Sequence, residues 1–315
     1  MPSIITLSLN QGSKDSKDTT LSHFTNYIAT RTLDMSMINS IAVIIALQQL
    51  LCANAFAFFP PPSLAHTLEH LFAPPPLQTT LEELTNIRIP GSSTTNNEIL
   101  AYKATPKDKS KQYTTTNSII LIHEFFGLNP SIIEKADALS NELGCTVIAP
   151  DTFRGEVTSF IPKAIWLAIS TPQERVNEDI NHVCSYLEKE NNGEGKLAVM
   201  GFCYGGGKAI RYTTQCNQDA ATVVFYGSPV TDVNELKKLK APVCGVYGKD
   251  DAQFPKALLD KFQIALDEAN IVNDVRVYDG VGHAFWKDME QIERGQQPQT
   301  DAYEQCISFL REYFG

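Results

Sequence analysis

The sequence predicts an α/β fold, with a mostly parallel central sheet covered by helices on both faces. Three observations carry that prediction. Short apolar runs, at 118–123, 146–149, 197–200, 221–226, 242–247 and 275–278, alternate with longer amphipathic segments. The runs are too uniformly apolar to keep one face in water, which is the mark of strands buried on both sides. One run, Leu197 to Met200, leads into Gly201-Phe202-Cys203-Tyr204-Gly205-Gly206-Gly207, a G-x-C-x-G pattern followed by helix-favouring Lys208-Ala209-Ile210. That is a nucleophile-elbow pattern with sulfur in the place usual for serine. A sharp strand-to-helix turn strains the chain and brings backbone close, and glycine on either side permits both. The turn sets Cys203 at a helix N-terminus, where the dipole favours a thiolate.

Taken in order, the elements support this reading. Residues 1–80 form a leader. A polar, Ser- and Thr-rich tail precedes an apolar segment at 35–59, and the proline clusters Pro60–Pro62 and Pro74–Pro76 read as an extended linker. The apolar core followed by Ala53 and Ala55 has the form of a signal-peptide h-region and cleavage site. It is too short and too soon interrupted by Gln48, Gln49 and Asn54 for a membrane span. The Ala55-Phe56-Ala57 junction resembles the bipartite presequences of algae with complex plastids. The localisation expected is therefore cytoplasm or plastid, with the plastid of such an alga preferred. The folded domain is placed at 81–315. Thr85–Pro90 and Glu98–Ala104 predict an N-terminal hairpin. Ser131–Leu143 is an amphipathic helix stopped by Gly144, and helices are also predicted over Pro172–Lys189, Pro255–Ala269 and Ala302–Tyr313.

Composition excludes several classes. The net charge of −10, without a basic cluster, argues against a nucleic-acid partner. Seven scattered cysteines show no C-x-x-C or Cys/His spacing, so neither a zinc site nor a disulfide framework is indicated, and no cofactor is expected. Cys145, Cys184 and Cys244 fall in apolar or amphipathic segments and read as small core residues. A working thiol points to a reducing compartment. The expected partner is a small molecule, with no stable membrane association of the mature domain and a monomeric state.

In parallel sheets ligands bind beyond the carboxyl ends of the strands, so the residues there carry the functional argument. Those ends hold Glu124, Cys203, the Asp250-Asp251 pair, and His283 within Gly282-His283-Ala284-Phe285. Nucleophile, acid and histidine in that order match the α/β-hydrolase arrangement. Cys203 would attack a carbonyl, His283 would shuttle the proton, and an aspartate would orient the imidazole and stabilise its charged form.

Ile122-His123-Glu124-Phe125-Phe126-Gly127-Leu128-Asn129, Ala149-Pro150-Asp151, Gly201-Phe202-Cys203-Tyr204-Gly205-Gly206, Gly248-Lys249-Asp250-Asp251 and Gly282-His283-Ala284-Phe285 together resemble the dienelactone hydrolase family. The likeness spans roughly residues 82–315. It implies an α/β-hydrolase fold and Asp251 as the triad acid by the family spacing, with Asp250 as the fallback. It also implies that Glu124 sits near Cys203 and controls its ionisation. The backbone N–H groups of Phe125 and Tyr204 would form the oxyanion hole. Two departures bear on substrate. Where bacterial members of the family place a carboxylate-binding arginine after the catalytic histidine, this chain has Lys287, which lacks the bidentate fork. A second arginine and a tyrosine give way to Phe160-Ile161-Pro162-Lys163-Ala164-Ile165-Trp166. Trp166 and Trp286 either line a pocket mouth or pack. The function expected is a cysteine-dependent hydrolase of lactones or small activated esters working through an acyl-cysteine. The alternative is a non-catalytic ligand-binding protein or receptor on the same scaffold.

Overall fold

The computed structural model describes residues 80–91, 98–107 and 116–315. The leader, targeting segment and linker read at 1–79 lie outside the described residues. Thr80 opens a one-turn helix, α1 (Leu81–Leu84), its N–H bonded to the Glu83 carboxylate at 2.9 Å. The hairpin follows as β1 (Ile87–Pro90) and β2 (Glu98–Ala104), antiparallel as expected.

From there strands and helices alternate: β3 (Ser118–Ile122), α2 (Pro130–Leu143), β4 (Thr146–Pro150), α3 (Ile161–Ser170), α4 (Gln173–Glu190), β5 (Leu197–Phe202), α5 (Tyr204–Gln215), β6 (Ala221–Phe225), α6 (Val233–Leu236), β7 (Val243–Gly248), α7 (Lys256–Glu268), β8 (Asn273–Tyr278), α8 (Glu290–Glu293) and α9 (Gln299–Phe314). They build one 8-stranded sheet in the order β1-β2-β4-β3-β5-β6-β7-β8. From β4 to β8 every pairing is parallel; β2 alone runs antiparallel to these strands, and β1, antiparallel to β2, points the same way as they do.

The side-chain period of a strand sorts the core into layers. In β3, Ile119 and Leu121 point to the face covered by α2 and α9, where they meet Ile132, Leu139, Cys306 and Leu310. Ile120 and Ile122 point to the other face, against Val176, Ile180 and Val183 of α4 and Tyr212 of α5. The far half of that second face is closed by α7 through Leu259, Phe262 and Leu266. Both faces of the sheet are therefore dry, which is why its strands read as continuous apolar runs.

Helix α2 has clear punctuation. The Asn129 side chain caps the Ile132 N–H at 3.2 Å, Pro130 occupies the first turn, and Gly144 ends the helix at φ 64°. Helix α3 is the main element the sequence reading left unassigned. Its Pro162 stands at the helix start, where a missing N–H costs nothing, but inside an apolar run it reads as a breaker. Cys145, Cys184 and Cys244 are buried as expected, and burial pushes the Cys145 and Cys184 thiols up to about 12 and about 11. Among the described residues no helix is long and apolar enough to cross a membrane.

Candidate active site

The elbow between β5 and α5 is as tight as its glycines require. A Cβ on Gly201 would lie 2.2 Å from the Gly205 carbonyl, and one on Gly205 would lie 2.3 Å from the Ile122 oxygen of β3. Cys203 sits at φ 52°, an uncommon conformation for a residue with a side chain, at the start of α5. The Cys203 N–H donates to Phe225 at 2.9 Å, and the Cys203 carbonyl receives the Gly207 N–H at 3.2 Å, so the strained residue is pinned on both sides.

The other strand ends converge on this sulfur. His283 Nε2 lies 3.0 Å from Cys203 Sγ, and His283 Nδ1 lies 2.7 Å from Asp251 Oδ2. The second oxygen of Asp251 accepts the Gln253 and Phe254 N–H groups at 2.8 and 3.3 Å, so the carboxylate is fixed by its own loop. Asp251 is buried and Asp250 is exposed, which separates the two acids. Burial works to lower the His283 pKa, but the bonds to Asp251 and Cys203 outweigh it and hold the imidazole at about 10. Phe254 and Tyr226 flank the ring, with centroids 5.7 and 5.4 Å away.

Glu124 joins the site but does not bond the sulfur. Among the described residues its side-chain partner is the Tyr226 hydroxyl, whose single proton is shared between Glu124 Oε1 at 3.4 Å and the Trp286 carbonyl at 3.2 Å. The Cys203 thiol instead has His283 as its partner. Burial raises the Glu124 pKa, while Lys135, Tyr226 and His283 pull it back. The Tyr204 N–H stands at the first position of α5, where no acceptor exists within the helix. Phe125 follows Glu124 in the turn beyond β3, beside Phe126 at a centroid distance of 4.1 Å.

The remaining candidates divide. Trp286 is wholly buried against Phe202, Phe225 and Tyr303, and its indole N–H is spent on Asp288 at 3.0 Å. It packs and does not line a pocket mouth, a correction to its candidacy as a substrate contact. Trp166 is 51% exposed on α3, with Phe160 and Ile161 exposed nearby. Lys287 is exposed, and Lys163 is paired with Glu156 at 2.6 Å.

Three groups escaped the sequence reading. His123, buried completely, bonds the Glu124 carbonyl through Nδ1 at 2.7 Å. Its Nε2 receives the Thr152 N–H at 3.2 Å and lies 2.9 Å from the Thr152 hydroxyl, which touches Tyr204 Oη at 3.3 Å. The ring thus ties the Glu124 turn to Tyr204. Tyr226, at φ 38° just after β6, is the second, and Lys135 on α2 is the third. Tyr226 had a signal, since it too follows a strand end.

A mostly parallel sheet, an elbow at the end of its fifth strand and a histidine on a late loop define an α/β-hydrolase. The chain belongs to the dienelactone hydrolase family, whose model matches residues 99–314. It is 28% identical over 229 residues to an Escherichia coli (strain K12) protein provisionally named carboxymethylenebutenolidase, covering 68% of this chain and 83% of that one. A protein of Saccharolobus solfataricus with the same provisional name is 26% identical over 255 residues, covering 68% and 94%. Among solved structures, a provisionally named dienelactone hydrolase from Klebsiella pneumoniae superposes with a TM-score of 0.61 at 26% identity, over 72% of this chain and 97% of that one. The protein is accordingly a hydrolase acting on carboxylic ester or lactone bonds.

Proposed function

We propose that the protein hydrolyses lactones or small activated esters through an acyl-cysteine, with Cys203 as nucleophile, His283 as proton carrier and Asp251 as its orienting acid. The observation that carries this reading is the unbroken chain from Sγ through the imidazole to a buried carboxylate, at 3.0 and 2.7 Å. The imidazole, held at about 10 by its bonds to Asp251 and Cys203, lies beside the sulfur as the group that exchanges its proton.

The thiolate adds to the carbonyl carbon, and the oxygen takes up the negative charge. The N–H groups of Phe125 and Tyr204 are aimed at that oxygen in this reading. Collapse expels the alcohol, which takes the proton from His283, and leaves a thioester. Water then attacks, giving its proton to His283, and the acid departs as the thiolate returns. His123 and Thr152 contribute by holding both donor turns in place. Glu124 acts through Tyr226 and the local field.

The test is turnover of dienelactone, p-nitrophenyl acetate and an uncharged cyclic ester by the full chain. Cys203→Ala and His283→Ala are each expected to lower kcat/KM by at least about a thousandfold. Activity that survives Cys203→Ala would sink the mechanism, and ligand binding without acylation in the parent would favour a binding protein.

A further inference from the structure

The loop that follows His283 is held from beneath by a cation that the reaction above does not use. Lys135 has 1% of its surface exposed, on the face of α2 that also carries Ile132, Ala136 and Leu139. Its ammonium donates to the Lys287 carbonyl at 2.7 Å and the Ser131 hydroxyl at 2.5 Å. It also lies 5.4 and 5.3 Å from the ring centroids of Phe202 and Trp286, within reach of their π faces. Ser131 donates to the same Lys287 carbonyl.

The preceding carbonyl, that of Trp286, is taken by Tyr226, whose hydroxyl also serves Glu124. Consecutive carbonyls of the post-histidine loop are therefore held by Tyr226 on one side and Lys135 on the other. Glu124 and Lys135 stand at the two ends of one connected chain of bonds.

A buried ammonium is costly unless opposite charge faces it. Among the described residues three charged groups face Lys135: Glu124 beyond β3, Asp288 in the loop before α8, and Glu134 on its own helix. Those that face Glu124 are Lys135, His283 and the Tyr226 hydroxyl. Lys135 is thus the facing cation that does not take part in proton transfer.

We propose that Lys135 is a positioning residue for ester hydrolysis. Its ammonium fixes the loop after His283 and supplies the positive charge that faces Glu124 in the site, so that loss of the Lys135 proton limits turnover at alkaline pH. The assignment rests on the cysteine-hydrolase reading. The step is acid–base only: Nζ gives one proton to solvent and the net charge of the site falls by one. Glu124 and Cys203 then have one facing cation fewer, and the negative charge that develops on the carbonyl oxygen becomes harder to form. Burial brings the Lys135 amine down to about 8, against the pull of Glu124, Asp288 and Glu134, whereas His283 stands at about 10. The amine therefore titrates first.

The experiment is the pH profile of kcat/KM, from about pH 6 to pH 10.5, for the full chain on a neutral ester. Wild type, Lys135→Arg, Lys135→Met and Cys203→Ala are compared. Wild type is expected to lose activity with a midpoint near 8. Lys135→Arg keeps the charge, so its limb moves up toward the His283 range near 10 while activity at pH 7 is retained. Lys135→Met is expected to lower kcat/KM at pH 7 on the order of tenfold and to lose the limb near 8. A wild-type limb at about 10 overturns the proposal, and this outcome needs no variant to fold. Identical profiles in wild type and Lys135→Met overturn it as well, and with Cys203→Ala inactive they leave the hydrolase mechanism standing. Turnover that survives Cys203→Ala removes the mechanism and this assignment with it.

Discussion

His123 and His283 both follow strand ends, both are largely enclosed, and each has an aspartate beside it. Their charge states differ because the two aspartates are used differently. Asp151 spends both oxygens on backbone, receiving the Phe153 and Gly155 N–H groups, and its Oδ1 stays 3.8 Å from His123 Nε2. Asp251 spends one oxygen on backbone and gives the other to His283. The partners of His123 fix one neutral tautomer: a carbonyl can only accept, so Nδ1 donates, and the Thr152 N–H can only donate, so Nε2 accepts. Burial lowers the His123 pKa more than Asp151 raises it. Proximity of a carboxylate does not make an imidazole a proton carrier. A free oxygen aimed at the ring does.

The two histidines separate most strongly when their aspartates are changed. Asp251→Asn replaces the oxygen that accepts from Nδ1 and favours the wrong tautomer, so kcat should fall by about 10³- to 10⁴-fold. The same change at Asp151 should leave kcat within several-fold and cost about 2–3 kcal/mol in a denaturant titration, through the weakened bonds to Phe153 and Gly155. Should the two variants swap these signatures, the assignment of roles is wrong. Asp250→Asn, at an exposed position, should do neither.

His123→Gln comes next in size. It removes the tie between the Glu124 turn and Thr152 without charging the interior. About 1–3 kcal/mol of stability should be lost, with a several-fold fall in kcat as the Tyr204 and Phe125 N–H groups lose their fixed spacing. Unchanged stability would mean that Thr152 and the Glu124 carbonyl hold their positions without the ring.

The sequence exposed those parts of this arrangement that obey the strand-end rule. Cys203, Asp251 and His283 each follow an apolar run, and the structure brings all three into hydrogen-bond range. Tyr226 obeys the same rule but was absorbed into its run, because tyrosine is itself apolar enough to continue a strand. Lys135 was masked by its chemistry. A lysine in an amphipathic helix reads as solvated, yet three residues from Ile132 and four from Leu139 it falls on the buried stripe. Which neighbour the sulfur would bond, His283 rather than Glu124, could not be judged from spacing. Trp286 illustrates the opposite limit. Its place three residues after His283 pointed to the site, whereas the chain turns inward there and buries the indole among Phe202, Phe225 and Tyr303.

The two histidines also couple stability to pH with opposite signs. A histidine whose folded pKa exceeds its unfolded value of about 6.5 binds more protons folded than unfolded between those two values. For His283 the stabilisation is therefore complete below about 6.5 and is lost as pH rises through about 10. For His123 the sign reverses, because its folded pKa is lowered, and its neutral form disfavours folding only where the unfolded ring is charged, below about 6.5. Melting temperatures of wild type and His283→Asn should converge as pH climbs from 7 to 10, while those of wild type and His123→Gln should diverge as pH rises from 5 to 7. Parallel curves for wild type and His283→Asn across the alkaline range would show that the Asp251–His283–Cys203 chain stores no proton at neutral pH, and the charged imidazole would have to be abandoned.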